Sequence, residues 1–369
     1  MSQFQNDPKT SLEVRFQNAH FLSQICLRKP LFALRMASEF CRARFLNQRR
    51  LRFMDVAVDY ACNMKCVHCS SAHFIQTHES KLSVKEYQHI ADSLCNEGCL
   101  IFHFTGGEPL LRPDLETIIA AFRPNRCAIS IQSNGLLATR ERLLSLRRSG
   151  ADIFNVSIDS GIPEEHDSFR RTTGAFKKAI QAVDDALSLG YSTSVSTCIT
   201  HSNLHSKGLR EIIRLTAQRH VWCSFNLAVP AGNWRDNNQD RLTEEDQASW
   251  RQLLVEFPHC RIDLKNNWFR IGCGAVKEKC YLTAYGDVMP CPFIHVSLGN
   301  LRHETLAQIR QRAFKIPEFS KYWPKCLAAE EHFFIEKMPC YSSQFKKMPL
   351  SYTQIEWMDQ CMSTPRAGA

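Results

Sequence analysis

What is missing from this sequence narrows it first. No apolar run approaches the ~20 residues needed to cross a bilayer, so a membrane-spanning protein is not expected. The opening residues, MSQFQNDPKT, are polar and lack the apolar stretch of a secretory signal, so a cytoplasmic location is expected. Low-complexity tracts and internal repeats are also absent. That leaves a globular chain of 369 residues, long enough for one large α/β domain with an appendage or for two domains. Strong charge of one sign is lacking too. The formal +9 is modest for this size and reads as a solvated basic face, with no nucleic-acid partner expected.

Cysteine is what the sequence has in excess. Seventeen of them would suggest a disulfide framework in a small secreted protein. In a long chain without an export signal, metal binding is the better reading. Cys95, Cys99, Cys127, Cys198 and Cys223 sit in apolar surroundings and are expected to serve as small core hydrophobes.

Residues 17–50 read as basic helix, with Phe32, Met36 and Phe40 at i, i+4, i+8 among arginines and lysines. Such a helix either packs across a barrel, the favoured reading, or lies on a membrane surface or a partner. From residue 53 short strands alternate with helices. Strands are expected at 54–59, 100–105, 127–133, 153–159, 193–200 and 221–229, and helices at 83–97, 114–122, 140–149, 175–189 and 204–219. Apolar, β-branched strands in βα alternation predict a parallel sheet with right-handed crossovers, covered on both faces. Six such units make three-quarters of a (β/α)8 barrel. The alternation stops at the polar loop AGNWRDNNQDR, and a cysteine-bearing segment near 260–340 follows. The division expected is a basic extension (1–50), a partial barrel (51–240), a small cysteine-rich domain (241–341) and a poorly ordered tail (342–369).

Directly after the first strand stands Cys62-Asn-Met-Lys-Cys66-Val-His-Cys69, a C-x3-C-x2-C spacing. Three thiolates on one loop can hold three irons of a cubane and leave the fourth open; soft sulfur ligands suit iron–sulfur clusters and zinc alike. A structural zinc site would close with a fourth ligand, and His68, lying between two of the cysteines, is poorly placed to be that ligand. At the end of the second strand comes Thr105-Gly106-Gly107-Glu108-Pro109, where two glycines permit close backbone approach and a carboxylate can accept from a cationic amine. Ser133-Asn134-Gly135, then Ser157 and Asp159, end the third and fourth strands, and Arg171 follows in SFRRTTGAF. Singly, each of these has a bland reading as a turn, a loop start or a surface bridge. Together they fall at C-terminal strand ends, where barrel active sites form.

Over residues 53–230 the sequence resembles the radical S-adenosylmethionine (SAM) superfamily. The resemblance implies a [4Fe–4S] cluster on Cys62, Cys66 and Cys69. SAM then binds the open iron and is cleaved reductively to methionine and a 5′-deoxyadenosyl radical, with electrons from a reductant protein such as flavodoxin or ferredoxin. It also implies that His68 lies beside the adenine, that Glu108 accepts from the amine, that Ser157 and Asp159 reach ribose or substrate, and that Arg171 pairs with the methionyl carboxylate. Gly106, Gly107, Ser133 and Asn134 complete the cofactor contacts. Cys273-x6-Cys280-x10-Cys291 with Gly286-x4-Cys291 looks like the start of a SPASM domain or its shorter twitch relative. Because a full second set of cysteines is missing, one auxiliary [4Fe–4S] cluster is expected, on Cys273, Cys280 and Cys291 with Cys326 or Cys340 as fourth ligand; zinc stays open there.

Net oxidation or cross-linking of a substrate is the expected outcome, with a peptide or natural-product precursor preferred to a small alcohol or sugar. A non-catalytic iron–sulfur electron carrier is the reading from another class, and the intact Thr105–Pro109 motif weighs against it.

Overall fold

The computed structural model describes residues 23–74, 79–237, 239–262, 264, 267, 272–331, 334–335 and 348–363. Seven parallel strands stand side by side in chain order: β1 (Phe53–Asp59), β2 (Ile101–Gly106), β3 (Ala128–Ser133), β4 (Ile153–Ser157), β5 (Ser192–Ile199), β6 (Trp222–Leu227) and β7 (Cys260–Ile262). β8 (Lys279–Leu282) joins in parallel on the free side of β1, and β9 (Val288–Met289) turns back antiparallel to it. The sheet ends at β7 on one side and β9 on the other, so the barrel is open. The six expected strands are present, with β7 added, and β8 comes from the cysteine-rich segment.

The helices begin where their sequences provide caps. Ser83 and Glu86 form a capping box ahead of α2 (Val84–Asn96), and Thr139 and Ser206 cap α4 (Arg140–Arg148) and α7 (Lys207–Gln218). Between α2 and α4 lies α3 (Leu115–Ala121). α5 (Pro163–Arg170), not foreseen in the sequence, opens with proline and two glutamates, both favourable at a helix N-terminus. α6 (Ala175–Ser188) follows it, and α8 (Glu244–Glu256) precedes β7.

The two faces of the sheet differ. Met54, Val56, Phe102, Phe104, Ile129, Ile131, Phe154 and Val156 are fully buried against the helices. The intervening residues point into the barrel and are polar: His103 Nδ1 lies 2.8 Å from Ser130 Oγ, Asn155 Nδ2 donates to Ser130 Oγ at 2.9 Å, and Asn226 Nδ2 donates to Ser196 Oγ at 2.7 Å. Both faces are covered, as expected, but the inner one is covered by polar side chains, of which Ser130 and Asn155 are buried. These inner strand positions satisfy one another by hydrogen bonds, as buried polar groups must.

The N-terminal helix α1 (Pro30–Phe45) closes the bottom of the barrel. Ile25 and Phe32 pack with Leu100, Ala128 and Ile153 at the N-terminal ends of β2–β4, and Met36 lies against them. Lys29 Nζ donates to the Cys127 and Gly150 carbonyls at 3.2 and 2.9 Å and pairs with buried Asp152. The packing reading of this segment holds, except that Phe40 is 39% exposed. The residues expected as a tail also pack: β11 (Leu350–Ser351) pairs with β10 (Val296–Ser297), and Ile355 and Met358 are fully buried. Cys99, Cys127 and Cys223 are core residues as expected, while Cys95 and Cys198 are only partly covered.

Phe32 is 1% exposed and anchors α1. Phe32→Ala should weaken its docking by about 3 kcal/mol, measured as lost amide-exchange protection across Pro30–Phe45 with β2–β4 unchanged.

Candidate active site

The cysteine loop starts with a carboxylate. Asp59 Oδ1 accepts from the Tyr60 and Ala61 amides at 2.7 and 3.1 Å, and Lys81 Nζ holds Oδ2 at 2.6 Å. The turn so formed is pinned to the next strand end, where the Gly107 N–H donates to the Asp59 carbonyl at 2.8 Å and the Glu108 N–H to the Ala61 carbonyl at 2.9 Å. A Cβ on Gly106 would lie 2.0 Å from the Asp59 carbonyl oxygen, and one on Gly107 would lie 2.2 Å from that of Ala61. Gly106 also has φ +132°. The glycines thus let the two loops touch each other, a reason that holds before any ligand is considered.

Further along, the loop is gripped from two sides. The Val67 amide donates to the Phe169 carbonyl at 3.0 Å, while the Asn233 amide and Nδ2 donate to the Cys69 and Cys66 carbonyls, each at 3.0 Å. Gly232, at φ +58°, comes so close that a Cβ would be 2.2 Å from the Cys69 oxygen. Gly232 and Asn233 were read only as part of a polar loop. The polar loop after β6 was visible, but its pairing with the cysteine loop was not.

Each thiol has its own environment. The Met64 amide donates to Cys62 Sγ at 3.4 Å, Cys69 Sγ is 3.7 Å from Ser71 Oγ, and Arg170 Nη1 donates to Cys66 Sγ at 3.7 Å. Cys62 is exposed and Cys66 buried; burial raises the Cys66 thiol, with Arg170 pulling the other way. Three thiols on one loop, with donors aimed at the sulfurs, fit an iron–sulfur cluster, whose thiolate charge such donors stabilise.

Arg170, and not the expected Arg171, is the arginine that reaches the cysteine loop. Its guanidinium is buried, paired with Asp159 Oδ2 at 2.6 Å through Nε and Nη2. Asp159 Oδ1 accepts the Cys198 amide at 3.0 Å, and the Asp159 amide donates to His166 Nδ1 at 3.1 Å. His166 and Arg170 are i, i+4 on α5, so one helix face brings both to Asp159. Arg171 has the left-handed φ of 52° at the helix C-cap and is exposed. The structure therefore does not bring Arg171 to the cysteine loop, and both oxygens of Asp159 are engaged by protein. Burial opposes the Asp159 charge, but Arg170 outweighs it and holds the carboxyl below its usual range.

Glu108 is also buried, with only neutral partners. Oε1 accepts from the Leu110 amide and Ser133 Oγ at 3.0 and 2.9 Å, and Oε2 from the Asn134 amide at 2.8 Å. Burial pushes its carboxyl up to about 7 against the pull of those donors. Ser133 and the Asn134 amide hold Glu108, while Asn134 Nδ2 reaches Asn63 Oδ1 in the cysteine loop at 2.8 Å. Ser157 Oγ accepts from Gln132 Nε2 at 2.8 Å on the inner wall. The His68 ring stacks on Phe169 at 4.4 Å and leans on Trp234 at 5.7 Å; its Nδ1 is buried without a protein partner.

In the second cysteine set, Cys273 donates its amide to the Trp323 carbonyl at 2.6 Å, and Cys326 donates its own to Glu330 Oε2 at 2.7 Å. Cys326 lies within electrostatic reach of Cys273 and Cys291, and Cys291 of Cys273. Cys280 does not join them. In β8 it pairs with Met54 in register, on the helix-facing side, where Arg310 and Cys99 are its neighbours. The expectation that Cys280 is a ligand is corrected by strand parity. Cys340 lies outside the described residues.

An open cleft lies beside residues that adjoin both cysteine sets. It is lined by His73, Gly232 and Arg235 on one side, and by Phe293, His295 and Ala328 on the other. Phe293 and Ala328 stand two residues beyond Cys291 and Cys326.

Residues 58–215 match the radical SAM superfamily, and residues 273–330 match SPASM, an iron–sulfur cluster-binding domain. The chain is a radical SAM protein. Among its relatives, the AdoMet-dependent heme synthase of Oleidesulfovibrio alaskensis is 26% identical over 74% of this chain and 79% of that protein. The mycofactocin maturase MftC of Mycobacterium tuberculosis is 26% identical over 66% and 65%. The fold is similar to that of Streptococcus suis SuiB bound to the precursor peptide SuiA, with a TM-score of 0.59, 13% identity and coverage of 77% and 69%. As a radical SAM protein with a SPASM domain, the chain takes a SAM-binding [4Fe–4S] cluster, SAM and auxiliary iron–sulfur. No helix among the described residues is long and apolar enough to cross a membrane.

Single substitution separates the C-terminal cysteines. Cys273→Ser, Cys291→Ser and Cys326→Ser should each lower reconstituted iron by about four per chain, whereas Cys280→Ser should leave it unchanged; iron and sulfide assays decide.

Proposed function

We propose that this radical SAM enzyme oxidises or cross-links a peptide or natural-product precursor held in the cleft between Cys62–Cys69 and Cys273–Cys326. The cleft is the observation that carries this reading, because its walls adjoin both sets: Gly232 packs on the Cys69 carbonyl, and Phe293 and Ala328 follow Cys291 and Cys326 by two residues. When bound, the first cluster supplies the electron that splits SAM into methionine and a 5′-deoxyadenosyl radical. Glu108 would accept from the SAM amine, with Ser133 and Asn134 fixing its carboxylate. Arg170 would steady the thiolate of Cys66, and Ser157 would face ribose or substrate from the inner wall. Cys273, Cys291 and Cys326 would hold the auxiliary cluster, which would supply a one-electron acceptor beside the cleft. Cleft walls of Pro230, Ala231, Phe293 and Ile294 suit an apolar body, with His73 and Arg235 as polar contacts. The external one-electron donor would be of flavodoxin or ferredoxin type.

The likeness to heme synthases over most of both chains favours a second reading, in which the substrate is a tetrapyrrole. The assay that separates the two supplies iron-coproporphyrin and candidate precursor peptides to the reduced enzyme with SAM. Substrate-stimulated 5′-deoxyadenosine from one and not the other assigns the class.

Two outcomes test the radical half. Replacing Cys62, Cys66 and Cys69 together by Ala should cut iron from about eight to about four per chain and abolish 5′-deoxyadenosine. Below about pH 7 Glu108 takes up a proton and loses acceptor capacity for the amine. SAM affinity, measured by equilibrium dialysis, should therefore fall as pH drops below about 7 and stay level above it. Glu108→Gln should weaken binding at pH 8 and flatten the profile.

A further inference from the structure

We propose that the outer face of α1 docks on an anionic membrane surface. Among the described residues, six of the eight large apolar side chains left exposed fall between residues 27 and 46: Leu27, Leu31, Leu34, Phe40, Phe45 and Leu46. Leu34 and Phe45 are 68% and 71% exposed. The inner face of α1 is accounted for by Phe32 and Met36 against the barrel floor. The outer face is a second apolar stripe. At 3.6 residues per turn, Leu31, Leu34, Ser38, Cys41 and Phe45 lie within about 80° of one another.

Charge selects the occupant. Arg42 and Arg44 border the stripe on opposite sides, and both are exposed. The acid of α1, Glu39, is turned inward and paired with Arg50 at 2.7 Å. The outward surface is therefore apolar and cationic, the combination that an anionic bilayer interface accepts. A second copy of the chain would offer this helix no carboxylate partner for these arginines from its own α1, whose acid Glu39 is already paired with Arg50. The helix lies across the N-terminal strand ends, opposite the cysteine loop. Docking there holds the enzyme at a surface and leaves the mouth of the barrel turned away from it.

The test is co-sedimentation of the full-length protein with vesicles of phosphatidylcholine alone or mixed equally with phosphatidylglycerol. Binding is expected to the mixed vesicles only, and to weaken with salt. Arg42→Ala with Arg44→Ala should weaken it about thirty-fold. Leu31→Ser, Leu34→Ser and Phe45→Ser together should abolish it while iron content after reconstitution stays normal. Failure of the wild type to sediment would overturn the proposal. Equal binding by wild type and the triple variant would also overturn it. So would light scattering that shows a dimer dissolved by the same three substitutions.

Discussion

The contact on which the site depends is a backbone one, the approach of the β2 end to the loop after β1. Two amides, of Gly107 and Glu108, reach two carbonyls, of Asp59 and Ala61, at hydrogen-bond distance. No side chain fits between them, so glycine is required by the protein's own main chain. The consequence is positional. Once Glu108 is pinned by its amide, its carboxylate points at the β3 end, where Ser133 and Asn134 receive it. Asn134 then returns to the cysteine loop through Asn63. Three strand ends are tied into one rigid rim, and the thiols inherit their positions from it.

Two buried carboxylates at this rim show how partners decide charge. Asp159 faces the guanidinium of Arg170 and stays ionised; Glu108 faces an O–H and two N–H groups and titrates near neutrality, at about 7. Burial disfavours the charged form in both, and only a full opposite charge overcomes it. The arrangement suits the chemistry assigned to this family. Arg170 is committed to Asp159 and Cys66, whereas Glu108 has only neutral hydrogen-bond partners. A bound ammonium group would do for Glu108 what Arg170 does for Asp159.

Much of this was legible in the sequence, and the failures are instructive. The spacing of Cys62, Cys66 and Cys69 and the glycines before Glu108 are local patterns, so a linear reading found them. Arg170 and Arg171 are adjacent, and only the end of α5 decides between them: the last helical residue faces inward, and the next takes the left-handed turn. Gly232 and Asn233 are remote in sequence from the loop that they clamp, and nothing nearby marks them. The inner polar face was hidden because Ile, Val and Phe on the outer face dominate each strand; His103, Ser130 and Asn155 look like interruptions until alternation is imposed.

Cys280 makes the same point about parity and bears on how the two cysteine sets are related. A list of cysteines suggests that neighbours in sequence share a cluster, yet β8 turns Cys280 toward the helices and Tyr281 toward Tyr60, whose hydroxyl lies 3.4 Å away. The strand that rejects Cys280 as a ligand is also the one that joins the cysteine-rich segment to β1 in register. Beyond that strand, Arg310 on the helix after β10 bonds the Arg49 carbonyl at 3.0 Å and pairs with Glu97 at 3.1 Å, bracing the segment against the barrel floor. The relation between Cys62–Cys69 and Cys273–Cys326 is thus carried by sheet hydrogen bonds and buried charge. A flexible linker would let the cleft between them change width with thermal motion. A shared sheet instead fixes the segment that bears the second set against the strand that leads into the first.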